Sequence, residues 1–349
     1  MAPKQKPRVL VIGCQFSGFL VVRDLHKKFD VTVVDPKEYF EYTPGVLRAY
    51  VKPSHFDALT FCIEPVLRKL GVTFIMGEVT KLDGSRKEAT VWTRFSDKDD
   101  IVSYDYCVIC SGCNFNFLHK WGESLWFPTV HEHARPEGSW SHIDERFIDG
   151  RRRHILEEHF RIKELNDKGA SVLVVGAGFI GVEWATELAY FFPKLKLTIC
   201  DFLGNCLGPL PPSAADYCNH YMKKVGIKQF YGVKYSANDP SFYETVGFTG
   251  GARPDKEYFC MGVKASNYYM PKEVLSDKGP GGGGWIHVNK KLQVVTKERQ
   301  VWGDGVVFAV GDCNQTFMDE IKPIPKISYP GEEQATHAVR SIRAMAGMS

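Results

Sequence analysis

Short unbroken runs of aliphatic residues recur along this chain, several cut off by glycine, and stretches with apolar positions at helical spacing lie between them. Val9-Leu10-Val11-Ile12 is the first such run. An apolar run bounded by a turn reads as a strand buried on both faces, as in a parallel sheet. Gly13 follows it, then a helix expected over 18–28 and a second strand over 31–34 that ends at Asp35. Strand, turn, helix and strand make the opening βαβ unit of a doubly wound fold. Further strands are expected over 72–76 and 104–110, the latter stopped by Ser111-Gly112. The opening pattern then repeats as Val172-Leu173-Val174-Val175, Gly176, a helix over 180–191 and a strand over 195–200 that ends at Asp201. A helix around 214–224, strands over 258–261, 285–288, 292–295 and 306–310, and a last helix over 334–346 complete the expected elements.

Three segments depart from these periods. Residues 151–165 carry the charge pattern of an exposed helix, with Ile155, Phe160 and Ile162 as its apolar content. Residues 114–148 fit neither period and are expected to be irregular, with Trp121, Trp126, Phe127 and Trp140 packing part of the segment down. His131 and His133, in the same segment, suit a loop or packing role better than a metal site. The run 279–284 reads as a flexible glycine loop; no Lys-Ser/Thr follows it, so it is not a phosphate-binding P-loop.

The two repeated units carry the chemistry. In a loop from strand to helix, the first glycine permits the tight turn and the second lets the backbone approach a pyrophosphate. The third lets helix and strand pack closely. The helix start then offers unpaired amides and the positive end of its dipole to the phosphates. The loop Gly176-Ala177-Gly178-Phe179-Ile180-Gly181 has all three glycines. The loop Gly13-Cys14-Gln15-Phe16-Ser17-Gly18 has the first and third, with Gln15 in the second place. That side chain could be turned away, could bond a phosphate, or could mark a site kept only as scaffold. Asp35 and Asp201 each close the following strand at roughly the 20-residue offset where an acid accepts the ribose hydroxyls. Two dinucleotides on one polypeptide suit electron transfer between a nicotinamide and a flavin. At Asp201 a carboxylate would repel a 2′-phosphate and no arginine follows closely, so NADH is expected in preference to NADPH.

Composition narrows the class. A chain of 349 residues has room for two or three domains. The net charge of +3 is spread along it and gives no reason to expect nucleic acid as a partner. No stretch approaches the roughly 18 to 20 apolar residues of a membrane span. The first strand starts near Arg8 and leaves no room for a leader, which points to a cytoplasmic setting, with peripheral membrane contact left open. The ten cysteines then read as reduced thiols. Cys107, Cys110 and Cys113 share a strand and its end, where residues three apart face opposite ways, so packing is expected there and no metal.

Taken in order, the segments resemble the two-dinucleotide flavoproteins of the pyridine-nucleotide oxidoreductase family, and within it type II NADH:quinone oxidoreductases and apoptosis-inducing-factor-like NAD(P)H:quinone reductases. The marks are the two loops, Ser111-Gly112, the run Val306-Val307-Phe308-Ala309-Val310-Gly311-Asp312, and Asp35-Pro36-Lys37-Glu38-Tyr39-Phe40 with Tyr42-Thr43-Pro44. The resemblance implies an α/β fold of two Rossmann-like dinucleotide-binding domains, the NAD domain inserted into the FAD domain. The FAD domain would comprise 1–165 and 285–349, and the NAD(H) domain 166–284. FAD would lie on Gly13, Gln15, Phe16, Ser17 and Gly18, with its AMP ribose at Asp35, beside Pro36 and Lys37, and its adenine at the backbone of Val79. Ser111, Gly112 and Gly311 would border it, and Asp312 would meet the ribityl chain. NADH would lie on Gly176, Gly178, Phe179, Ile180 and Gly181, with Asp201. Glu183 matches an acidic residue that stands near nicotinamide and flavin in relatives; the plainer reading is a first-turn glutamate favoured by the helix dipole.

The function expected is therefore hydride transfer from NADH to FAD, followed by electron delivery to a quinone or another small acceptor. Two other readings stand beside it. Sulfide oxidation would need thiols at the flavin, for which Cys113 and Cys313 are the candidates. A fold-retaining partner subunit without turnover is motivated by Gln15 and by a chain that ends soon after the last helix, where membrane-working relatives continue into an amphipathic segment.

Overall fold

The computed structural model describes residues 5–93, 99–114, 143–317 and 324–348. Trp121, Trp126, Phe127, His131, His133 and Trp140 lie outside the described residues. Two sheets, one mixed and one parallel, organise the rest. The larger has seven strands in the order Val307–Ala309, Tyr106–Ile109, Arg8–Ile12, Asp30–Asp35, Thr73–Asp83, Glu88–Thr93 and Asp100–Ser103. Its first five strands pair in parallel, with Val9 beside Val31 and Tyr106, and the last two add an antiparallel edge. The smaller sheet is parallel throughout, in the order Lys228–Tyr231, Lys196–Asp201, Ser171–Val175 and Lys256–Phe259. The chain thus leaves the larger sheet after Ile109, builds the smaller one, and returns through Val307–Ala309.

The aliphatic runs are strands because both faces are covered. Val9, Leu10, Val11, Val33, Val108 and Phe308 are essentially inaccessible, sealed by helices that include Phe16–Leu25 and Ser328–Met345, which pack on each other. The smaller sheet buries Val172, Val174 and Ile199 against the helix Phe179–Phe191, whose Trp184 is fully buried. This second core also takes in Val46, Leu47, Ala49, Tyr50 and Phe56, from a stretch that follows the first βαβ unit. The two halves therefore share apolar packing, and the region between them is built rather than left open.

Several elements differ from expectation. The strand expected over 72–76 runs on as Thr73–Asp83 and turns back in two further strands, Glu88–Thr93 and Asp100–Ser103, whose alternation of buried Ala89 and Val91 with partly exposed neighbours marks a sheet edge. The expected flexible glycine run contains the turn Pro280–Gly282, with Gly281 held so close to Val263 that a Cβ there would lie 2.0 Å from its carbonyl oxygen. The helix expected to be exposed, Ile148–Asp167, instead buries Arg151, His154 and Glu158 while Phe160 faces out. Its charges go inside because acceptors await them. Arg151 donates to both carboxylate oxygens of Glu41 (2.8 and 3.2 Å), to Glu145 (2.8 Å) and to the Tyr50 hydroxyl (3.0 Å), and His154 Nδ1 meets Glu145 at 2.7 Å. A buried guanidinium needs such a set of partners, since each vacancy would leave a desolvated charge unpaired.

Candidate active site

Both glycine loops are held by the same device. Asp35 accepts the Cys14 amide at 2.7 Å and the Lys37 amide at 2.8 Å, one on each carboxylate oxygen. Asp201 does the same for Ala177 at 2.6 Å and Leu203 at 2.8 Å. Gly13 and Gly176 adopt φ of +91° and +104°, which side-chain-bearing residues rarely do. A Cβ on Gly18 would lie 1.9 Å from the Gly13 carbonyl oxygen, and one on Gly181 would lie 1.8 Å from that of Gly176. The third glycine of each loop is thus fixed by packing of helix on turn.

The loops diverge at the middle position. At Gly178 a Cβ would meet nothing within 4 Å, so the space over the loop is open. At Gln15 the side-chain amide is engaged elsewhere: Nε2 donates to the Tyr39 carbonyl at 3.2 Å, and Oε1 accepts the Glu41 amide at 3.1 Å. Gln15 is turned onto the strand Tyr39–Glu41, and by that tie the loop is joined to the strand whose Glu41 holds Arg151. No side chain caps either following helix and neither has an acidic residue in its first turn, so both helix starts keep amides for an anion.

A cavity of about 500 Å³ opens where the strand ends of the larger sheet meet the second half of the chain. Gly13, Gln15, Phe16 and Ser17 line it from the first loop, and Asp35, Pro36 and Lys37 from the next strand end. Val79, Ser111, Gly112, Gly311 and Asp312 line it from the other strands. Phe179, Ile180 and Glu183 reach the same cavity from the helix of the second loop. Gly18 packs behind the loop, while Gly176, Gly178, Gly181 and Asp201 stand outside the cavity wall. Glu183 lies one turn into its helix, and the first turn holds no acid, so a helix-dipole role does not describe it.

Sequence reasoning missed part of the wall. Glu78, Tyr268, Tyr269 and Lys326 line the cavity and belong to no motif, and Cys113, a candidate thiol from the sequence, lines it too. Tyr268 donates its hydroxyl to the buried Glu78. Tyr269 donates to Ser111 Oγ at 3.0 Å, Ser111 to Asn267 Oδ1 at 3.1 Å, and Asn267 Nδ2 to the Cys313 carbonyl at 2.9 Å. This strap, from the segment that leaves the smaller sheet, fixes Ser111 at its strand end. Nothing in the local pattern of Ser266-Asn267-Tyr268-Tyr269 marks it.

Charge in the cavity is tuned by burial. Burial raises the Glu183 carboxyl above its ordinary range, and the neighbouring Glu187 adds to this. Burial also raises Asp312, against the pull of Lys326 and a contact from Cys113 Sγ at 3.8 Å. Lys37 and Lys326 are lowered by burial, each opposed by nearby acids or thiols. Cys113 is pushed up by burial and by Asp312, and Cys313 up to about 11, so neither is a ready thiolate. Cys107 is fully buried in its strand, while Cys110 reaches the cavity wall.

The first loop and the cavity beside it suit one dinucleotide, and the uncapped helix start after the open Gly178 suits the pyrophosphate of a second. The cavity lies within the roughly 300 to 1,000 Å³ of small-molecule sites, and a Cβ on Gly112 at its wall would also meet nothing within 4 Å. Among the described residues no helix is long and apolar enough to cross a membrane.

The family model for pyridine nucleotide-disulphide oxidoreductase matches residues 7–341. The chain is 23% identical over 368 residues to a type II NADH:quinone oxidoreductase of Staphylococcus epidermidis, covering 98% of this chain and 83% of that protein. Among solved structures, the sulfide:quinone oxidoreductase of Aquifex aeolicus matches with a TM-score of 0.72 at 16% identity, covering 98% of this chain and 77% of that one. The reduced CoADR-RHD of Bacillus anthracis matches with a TM-score of 0.68 at 16% identity and covers 97% of this chain. The present chain spans only 57% of that structure's length. At such identities the structural likeness speaks to the fold alone.

Proposed function

The chain belongs to the pyridine nucleotide-disulphide oxidoreductase family, and from that premise we propose that it holds FAD on the first loop, takes NADH on the second, and reduces a quinone. It is an NADH-dependent oxidoreductase; the acceptor and the residues that serve each cofactor are our reading. The observation that carries it is one cavity lined by Gly13, Gln15, Phe16 and Ser17 on one side and by Phe179, Ile180 and Glu183 on the other.

When bound, the flavin supplies a two-electron relay between nicotinamide and acceptor. The chain's own residues do the rest. The uncapped amides after Gln15 and Gly178 take the two pyrophosphates, with Asp35 and Asp201 holding each loop in shape and facing the riboses. Asp201 disfavours a 2′-phosphate by charge. Val79 lends backbone to the adenine, and Asp312, beside Lys326, meets the ribityl chain. Phe16, Leu47 and Ile180 exclude water from the wall. Glu183 holds a proton at that wall above the pH at which an exposed glutamate would lose it.

The test is turnover of the purified, flavin-loaded chain with a short-chain quinone. NADH-dependent quinone reduction, slower with NADPH, is expected. A flavin-loaded protein that oxidises neither nucleotide with any quinone, yet reduces quinone with sulfide, would overturn the reading.

A further inference from the structure

The cavity wall that carries Glu183 is made by two helices from different halves of the chain. Glu183 stands on Phe179–Phe191; Val46–Val51 packs against that helix, and its Val46 and Leu47 line the same cavity. Four residues on from Glu183, and so on the same helix face, stands Glu187. Arg48 of the facing helix takes its carboxylate at two points, Nε to Oε2 at 2.8 Å and Nη2 to Oε1 at 2.6 Å. The fork is geometrically exacting. The Glu187 side chain is only 18% exposed, and the Arg48 guanidinium also lies over the Phe191 ring at 5.5 Å.

We propose that Arg48 and Glu187 form a charge clamp between the two halves that sets whether Glu183 carries a proton. A bare Glu187 beside Glu183 makes a second negative charge unfavourable, and the Arg48 cation opposes that effect. Other charged groups line the cavity: Lys326 and Asp312, and Asp35, Lys37 and Glu78. Glu187, on its own helix, adds to burial in raising Glu183. From the facing helix, the Arg48 cation is paired with Glu187 and opposes its charge. The clamp rests on the proposed place of Glu183 in the active cavity, but its proton affinity can be read without turnover.

The experiment is a carbon-13 NMR titration of the glutamate carboxyls in the full chain, with Glu183→Gln assigning the signal. Glu187→Gln should lower the Glu183 midpoint by about 0.5 to 1 pH unit, the effect of a like charge roughly 6 Å away under surface screening. Arg48→Gln should raise it, and the double variant, with neither charge, should titrate between the two single variants. Arg48→Lys, keeping the charge without the fork, should return it toward the parent value. Opposite shifts from the two halves of one ion pair are what a merely structural contact would not produce. Shifts in the same direction, or none in either variant, would overturn the clamp. Quinone-dependent turnover should follow the same pH shifts. Should the NMR midpoints move as stated while the turnover profile stays fixed, the clamp is upheld and the role of Glu183 in turnover falls.

Discussion

The first and second loops share one geometry down to the acid that holds two amides, yet their surroundings are opposite. Around the first, Gln15 is tied to the strand Tyr39–Glu41, and behind that strand lies the buried cluster of Glu41, Arg151, Glu145 and His154. Around the second, Gly178 faces open space and Phe202, next to Asp201, is 65% exposed. A loop anchored through a buried network suits a ligand that stays. A loop open to solvent suits one that exchanges. In this light the substitution at Gln15 is part of the anchoring, because its amide meets main-chain partners and gives the first loop a tie that a glycine could not.

The widest gap between the loops should appear on cutting the network. Arg151→Ala leaves two buried carboxylates without their cation, and a loss of about 3–5 kcal/mol is expected, seen as a lower thermal midpoint with early flavin release. A parent-like melting curve would break the comparison. Gln15→Ala removes two partly buried hydrogen bonds, and at about 1 kcal/mol each flavin retention should weaken by up to about 30-fold while NADH affinity holds. The reverse selectivity is expected of Gly178→Val: its side chain enters free space, so folding and flavin content stay, and NADH binding weakens roughly tenfold, about 1.4 kcal/mol. Equilibrium dialysis of flavin and titration with NADH separate these outcomes.

The smallest effect sharpens the electrostatics. Glu183 has a raised carboxyl in the folded chain, so the native state holds its proton more tightly than the unfolded one, and stability drains away as pH climbs above the ordinary value of 4.5. Glu183→Gln is spared that loss. It should melt with the parent at acid pH and slightly above it at neutral pH; a variant less stable at neutral pH would contradict the assignment.

What the sequence made legible follows from how locally each feature is determined. Gly13, Gly18, Gly176 and Gly181 were readable because their own loops forbid a side chain. Asp35 and Asp201 were readable because the strand between loop and acid has a fixed length. Arg151 was not, since its burial depends on Glu41, far away along the chain, and periodicity scores a buried arginine as an exposed one. Lys326 and Tyr268 escaped for the same reason: only the return of the chain past the strand ends brings them to the cavity. The edge strands Glu88–Thr93 and Asp100–Ser103 also escaped, because they are short, half exposed and held by antiparallel pairing onto the long strand Thr73–Asp83 and onto each other.

The most direct test is a visible spectrum of the purified chain, taken before and after anaerobic addition of NADH. A flavin absorption band that bleaches with one equivalent of NADH, and less readily with NADPH, is the expected result. A colourless protein that takes up no FAD on incubation, or a bound flavin that NADH leaves oxidised, would contradict it.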